Sequence, residues 1–393
     1  MAQLKMPVMA WYGDKQASLP IPDSWQAERC APPPRPPLSR EQMRAALQNP
    51  IGTPALREIA ARKSARSAAV VVEDMTRPTP TRLFIPLLLD ELRAAGLGED
   101  AVRFVFALGC HRQAPRAEMV KKLGHNVVGR YETLNHDLTG KFRDLGVSER
   151  GVPIRISEAV MSADLKILIG TAYPRSGTGY GGGAKCLVPG TAAFETIKAY
   201  HGLRGGEHLR TDSEMRQEIE WIARTAGVDM IVNAVLNGKR QIAALFAGDV
   251  VQAHRAAAEC VNQTALTPTA QEADVVVSNA YPFDTNLRYT WRGTWAFEAH
   301  PNALRILVAY SPEGSGYHQL FKAGGAPFAP PPSGEPSFHL YSPLIGAREV
   351  NEVLANVQHH ASWESVLQLV KEKKGRSPRI AFYPYAGVGW RSG

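Results

Sequence analysis

The sequence predicts an α/β protein of two domains, each built on a mostly parallel sheet. Short apolar runs rich in β-branched residues recur along the chain, as at residues 68–72 (AAVVV), and amphipathic stretches alternate with them, the pattern of parallel strands joined by crossover helices. The chain has 393 residues, 44% of them apolar, more than a single core ordinarily absorbs, so two domains are expected.

The elements follow in order. Residues 30–38 (CAPPPRPPL) are too proline-dense for a helix and read as an extended arm. Strands are expected at 68–72, 102–107, 165–169, 230–235, 275–278, 305–308 and 380–383. Between them, helices are expected at 81–95, 115–123, 191–200, 212–226, 249–262 and 362–372. The polar stretch 264–272 (TALTPTAQE) is the natural boundary, giving an N-terminal domain at 1–267 and a C-terminal domain at 268–393. A second proline-rich loop falls at 326–336, and there is no internal repeat.

Composition excludes several classes. Charged residues make up 21%, so the chain is not of the disordered type. The net charge is +8, but lysine and arginine are scattered apart from the run at 371–374, which reads as a solvated helix end. With no zinc-finger spacing and no aromatic–basic signature, nucleic acid is not an expected partner. Cys30, Cys110, Cys186 and Cys260 form no CxxC pair, which fits a reducing compartment and no structural zinc. Residues 1–16 lack the apolar run of a signal peptide, and no stretch approaches the roughly 20 apolar residues of a membrane helix. A cytoplasmic protein without membrane contact is therefore expected.

In open α/β sheets ligands bind beyond the carboxyl ends of the strands, so the residues after each strand carry the functional reading. After the first strand come Asp74, Met75, Thr76 and Arg77. Asp74 and Thr76 can accept from amides or hydroxyls, and the Arg77 guanidinium can stack or hold an anion, unless the segment is only a capped helix start. After the next strand His111 is placed as a general base, its ordinary pKa lying near neutrality. In His136-Asp137 the aspartate either orients the imidazole or caps a turn. The glycines of residues 170–190 (GTAYPRSGTGYGGGAKCLVPG) let the backbone approach a ligand closely or adopt φ > 0, unless the stretch is a plain flexible loop. This is no Walker motif, because Lys185 is followed by Cys186 rather than a magnesium-binding hydroxyl; the lysine can instead anchor a cofactor covalently. His201 can ligate a metal through a ring nitrogen. In the C-terminal half, Arg288 and Arg292 stand four residues apart with Tyr289 between them, a set suited to a carboxylate if the stretch is helical.

Taken together and in this order, Asp74-x-Thr76-Arg77-Pro78, Gly109-x-His111-Arg112, His136-Asp137, the glycine loop with Lys185 and Pro189-Gly190, His201, and Tyr281-Pro-x-Asp284-x-Asn286 resemble the nickel-dependent lactate racemase family, over residues 51–316. The resemblance implies an active site in the interdomain cleft. It implies an isomerase, a 2-hydroxy acid racemase or epimerase working by reversible hydride transfer, with a transient keto acid. The implied cofactor is nickel with pyridinium-3,5-bisthiocarboxylic acid mononucleotide (the nickel-pincer nucleotide), held covalently by Lys185. His201 would be the protein's metal ligand, and Asp74, Met75, Thr76 and Arg77 the cofactor-binding turn. Cofactor-biosynthesis proteins are implied partners, and assembly into a homo-oligomer stays open.

This sequence departs from the family where substrate is handled. His111 matches one of the family's two acid–base histidines, but the second falls at Arg175, whose pKa is too high for proton shuttling near neutrality. The family's substrate-binding glutamine and lysine fall at Tyr289 and Arg292. The expected catalytic set is His111, Arg175 in the place of the second histidine, and Tyr289 as the second acid–base group if the arginines lower its pKa; Arg175, Arg288, Tyr289 and Arg292 are the expected substrate-binding set. The expected substrate is a small anionic hydroxy acid with more charge or oxygen than lactate. Two alternatives remain: a one-sided redox enzyme using the same cofactor, and a non-catalytic relative that binds the cofactor or its anionic ligand.

Overall fold

The structure, a computed structural model, describes residues 2–320 and 337–391. The proline-rich loop expected at 326–336 lies outside the described residues. The chain divides into two compact units, residues 35–263 and residues 1–34 with 264–393. Each is built on a six-stranded sheet.

In the 35–263 unit the strands lie in the order Ile242–Gly248, Met230–Leu236, Leu165–Ala172, Ala68–Glu73, Val102–Ala107, Glu132–Asn135. All neighbours are parallel except the edge pair Ile242–Gly248 and Met230–Leu236. Ala68–Glu73 is near the middle and buried along its whole length, which is why its sequence is a continuous apolar run rather than an alternation. Val70 and Val72, Phe104 and Phe106, and Ile167 and Ile169 share one cluster with Leu88 and Leu92 of the helix Ile85–Ala94. The period of two in those strand residues is that of one sheet face.

The helix expected at 81–95 is instead a 3₁₀ turn, Thr81–Leu83, followed by that α-helix. Pro86, which lacks an N–H, fits only the first turn, so the α-helix starts there. The later helices are Phe194–His201, Glu214–Thr225 and Gln252–Thr264. Ser213 caps the second by accepting from the Arg216 amide.

In the other unit the order is Val357–His360, Phe338–Tyr341, Leu304–Val308, Val275–Asn279, Arg379–Tyr383, Gln26–Arg29, all parallel. Residues 1–34 therefore lie with 264–393, whereas the sequence assigned them to the first domain. Gln26–Arg29 is a ladder partner of Arg379–Tyr383, and the proline arm begins as the Cys30 amide donates to the Phe382 carbonyl at 2.8 Å. The hairpin Ala2–Val8 with Lys15–Ile21 buries Leu4, Met6, Val8, Leu19 and Ile21 in one cluster with Val275, Val277, Ile306 and Phe382. Among the described residues, no helix is long and apolar enough to cross a membrane.

Candidate active site

Three neighbouring parallel strands end side by side: Leu165–Ala172, Ala68–Glu73 and Val102–Ala107. That order brings the glycine loop, the Asp74 turn and the His111 turn to one sheet edge, although about 100 residues of sequence separate the first from the second.

Asp74 is buried, and its carboxylate serves two partners. Oδ1 accepts from the Thr76 amide at 3.0 Å and the Thr76 hydroxyl at 2.5 Å, a turn closed by an aspartate side chain. Oδ2 accepts from His111 Nδ1 at 2.5 Å. Burial alone would raise the Asp74 pKa, but His111, Arg77 and Thr76 outweigh it and hold the carboxyl well below the usual range. An ionised carboxylate only accepts, so Nδ1 of His111 carries a proton, and the ring's lone pair, when Nε2 is unprotonated, lies on Nε2. That is the orientation a general base needs. Met75 is buried, and Arg77 Nη1 donates to Thr76 Oγ1 at 2.8 Å.

Two residues that the sequence reading missed hold this turn from behind. Lys122, fully buried, donates from Nζ to the carbonyls of Asp74 at 2.9 Å and Arg77 at 2.8 Å. Glu73 Oε2 accepts from the Thr79 hydroxyl at 2.7 Å and the Thr171 amide at 3.0 Å, tying the turn to the start of the glycine loop. Burial pushes Glu73 up and Lys122 down, each opposed by the other's charge. A lysine inside an amphipathic helix reads as solvated, so only its burial identifies it.

The glycine loop forms a short hairpin, Pro174–Arg175 with Gly179–Tyr180, and then a 3₁₀ turn, Gly183–Cys186. Lys185 is part-exposed, with Nζ 5.8 Å from the centre of the Tyr200 ring. Cys186, by contrast, is buried, its Sγ donating to the Ile169 carbonyl at 3.1 Å. His201 closes the helix Phe194–His201, and its Nδ1 donates to the Ile197 carbonyl at 2.7 Å. A carbonyl only accepts, so the lone pair sits on Nε2, the arrangement found in metal-ligating histidines. The residue is exposed by area, yet crowding by surrounding protein, with the cations Lys185 and Arg175, pushes the imidazole pKa down to about 4 and keeps it neutral. His111 adds to that shift, so Lys185, Arg175 and His111 each act electrostatically on His201. Arg175 Nη1 is buried without a hydrogen-bond partner among the described residues.

His136 and Asp137 are not a pair. His136 is buried, with Nε2 donating to the Ala192 carbonyl at 3.0 Å, while exposed Asp137 closes a turn by accepting from the Thr139 amide at 2.8 Å.

In the other unit, Arg288, Tyr289 and Arg292 lie in a short α-turn, Leu287–Thr290, that tightens into the 3₁₀ stretch Trp291–Phe297. Arg292 is buried, its guanidinium 4.4 Å from the centre of the Phe283 ring and 5.9 Å from that of Tyr289. Arg288 Nε donates to the Gly316 carbonyl at 3.2 Å. The neighbouring Tyr281–Asn286 motif is structural in part. The Asp284 carboxylate accepts the Met9 amide at 2.6 Å and the Ala10 amide at 3.1 Å, and the Tyr281 hydroxyl donates to Asp14 at 2.8 Å.

The model of the lactate racemase N-terminal domain matches residues 12–211. The lactate racemase of Lactiplantibacillus plantarum is 32% identical over 301 residues, 72% of this chain and 69% of that protein. The lactate racemase of Thermoanaerobacterium thermosaccharolyticum is 30% identical over 306 residues, 74% of this chain and 71% of that protein. Among solved structures, the lactate racemase apoprotein of T. thermosaccharolyticum matches over 100% of both chains with a TM-score of 0.77 at 21% identity. A Thermotoga maritima protein matches over 90% of this chain and 98% of its own with a TM-score of 0.62 at 17% identity. The two structures bear on the fold, and the two sequence relatives on the class, which is that of an isomerase, a racemase. The chain belongs to the lactate racemase family.

Proposed function

We propose that the protein is a nickel-pincer nucleotide-dependent racemase or epimerase of a small anionic 2-hydroxy acid other than lactate. The observation that carries this is the Asp74–His111 pair, which leaves His111 Nε2 available as a base, with His111 and Lys185 each in electrostatic reach of His201. The residues present fit the cofactor. Lys185 is a part-exposed amine able to form a covalent link, His201 keeps its lone pair on Nε2, and Asp74, Thr76 and Arg77 form a hydrogen-bonded polar turn for the nucleotide. When bound, the cofactor supplies the hydride acceptor for the substrate's α-carbon. His111 takes the hydroxyl proton at Nε2 while Asp74 holds the ring and stabilises the imidazolium that forms. Arg175 offers a buried guanidinium nitrogen to a carboxylate or further oxygen of the substrate, and Arg288, Tyr289 and Arg292 are proposed as further substrate-binding groups.

Arg175 also favours a second reading, in which one histidine serves a single face and the enzyme acts as a one-sided redox catalyst or a cofactor-binding relative. Two measurements separate these. Protein co-expressed with the cofactor-making enzymes is weighed intact and assayed for nickel, with Lys185→Ala beside it. A mass adduct and nickel that disappear in the variant are expected, and their absence from the parent protein sinks both enzyme readings. Deuterium exchange at C2 over a panel of chiral hydroxy acids then distinguishes racemisation, with both antipodes labelled, from one-sided chemistry.

A further inference from the structure

The loop that presents Lys185 rests on buried polar side chains that none of the motifs contains. Arg216, fully buried on the helix Glu214–Thr225, donates from Nε to the Thr178 carbonyl at 3.2 Å and from Nη2 to the Tyr180 carbonyl at 2.5 Å. His254, fully buried on the helix Gln252–Thr264, donates from Nε2 to the Gly181 carbonyl at 3.1 Å. Asn233, on the strand Met230–Leu236, accepts the Gly183 amide at 2.8 Å. Four peptide groups of residues 178–183 are thus held by three side chains from three elements.

Two arginines underneath share one carboxylate. Arg255 makes a two-pronged pair with Glu220, at 2.7 Å and 2.8 Å, and its Nη1 donates to His254 Nδ1 at 3.2 Å. Arg216 Nε lies 3.8 Å from the same Glu220 oxygen. The protons are consistent throughout. The Gly181 carbonyl requires the hydrogen on His254 Nε2, which leaves Nδ1 as the acceptor the Arg255 donor needs. Burial, then the charge of Arg216, keeps that imidazole neutral. The glycines mark where the loop meets these groups. A Cβ on Gly182 would stand 2.5 Å from Asn233 Oδ1, and one on Gly183 2.8 Å from His254 Cδ2.

We propose that His254 and Arg216, oriented by Arg255 and Glu220, are positioning residues: they fix the backbone of residues 178–183 and so the direction in which Lys185 is offered to the cofactor. This rests on the reading of Lys185 as the anchor, but its test does not use the cofactor. The full-length protein without cofactor is followed by hydrogen exchange of peptides spanning 178–186, and by the rate at which acetic anhydride labels Lys185. His254→Leu keeps the volume and removes the donor, whereas His254→Gln keeps an N–H in reach of the Gly181 carbonyl. Loss of one buried hydrogen bond raises local opening about tenfold. His254→Leu is expected to speed exchange of 178–186 by that factor and to change the Lys185 labelling rate, leaving the strand Ala68–Glu73 protected, while His254→Gln restores both readouts. Equal behaviour of the two variants overturns the proposal. Should His254→Leu fail to fold, Glu220→Gln decides: faster exchange confined to the loop supports the proposal, and unchanged exchange overturns it. A Lys185 that is labelled and positioned as expected but never gains an adduct would instead count against the anchor reading.

Discussion

The partners of the site's histidines set their tautomers, and the tautomers set what each ring can do. His111 faces a carboxylate through Nδ1, so replacing that carboxylate with an amide that offers both an acceptor and a donor weakens the hold on the reactive tautomer. Asp74→Asn is expected to lower C2 deuterium exchange roughly 10²–10⁴-fold per bound cofactor; an unchanged rate removes Asp74 as the group that sets the His111 tautomer. His136 tests the structural counterpart. Burial pushes its pKa down to about 4, against about 6.5 in an unfolded chain. A depressed folded pKa contributes stability that is present above pH 6.5 and lost as pH falls toward 4, roughly 3 kcal/mol in all. His136→Gln can keep the bond to the Ala192 carbonyl and cannot titrate, so its urea midpoint should vary less with pH over that window. A slope equal to the parent's would assign the acid sensitivity elsewhere.

At the scale of elements, the strands that place the site were legible because burial on both faces forces apolar runs, unbroken at residues 68–72 and interrupted only by half-buried Arg103 in Val102–Ala107. The edge strand Glu132–Asn135 and the first hairpin were not. The former is half-exposed and polar. The latter turns through Met9, Trp11 and Asp14 in left-handed conformations rather than through an Asn-Gly or Asp-Gly pair, so no turn signal marks it. The glycine loop is legible in the sequence, its glycines serving either close approach to a ligand or a positive φ. The structure bears out the positive-φ alternative at Gly177, Gly179, Gly182 and Gly183, and adds close packing: the Cβ of Gly181 would meet the Tyr173 ring at 2.3 Å, and that of Gly179 the Arg210 carbonyl oxygen at 1.4 Å. Gly179 also has φ of +72°. Gly179→Ala combines a backbone clash with a strained dihedral and is expected to cost about 2 kcal/mol or more, seen as a lower midpoint and weaker anchoring at Lys185. A variant as stable as the parent would show that the loop can move aside. Lys122, Arg216 and His254 were not legible at all, because each belongs to an ordinary helix and only the fold brings it under the loop.

At the scale of the molecule, the two units differ in how the chain supplies them. Residues 35–263 are contiguous and carry their own sheet and core, so this fragment alone is expected to unfold in one cooperative transition. Residues 264–393 alone lack the Gln26–Arg29 strand and the hairpin whose Leu4, Met6 and Ile21 fill the second core. That fragment is expected to expose the edge of Arg379–Tyr383 and to associate or aggregate, measured by light scattering; a stable monomer would show the first 34 residues to be dispensable.

The ladder between Gln26–Arg29 and Arg379–Tyr383 also imposes an order in time. During synthesis the first strand of that sheet leaves the ribosome early, while its ladder partner is made about 350 residues later. At roughly 5–20 residues per second, the N-terminal hairpin waits tens of seconds with its apolar face unpartnered while the 35–263 unit can already have folded. The alternation of lysine, glutamine and serine with the apolar residues of that hairpin is what a segment held back so long requires to stay in solution.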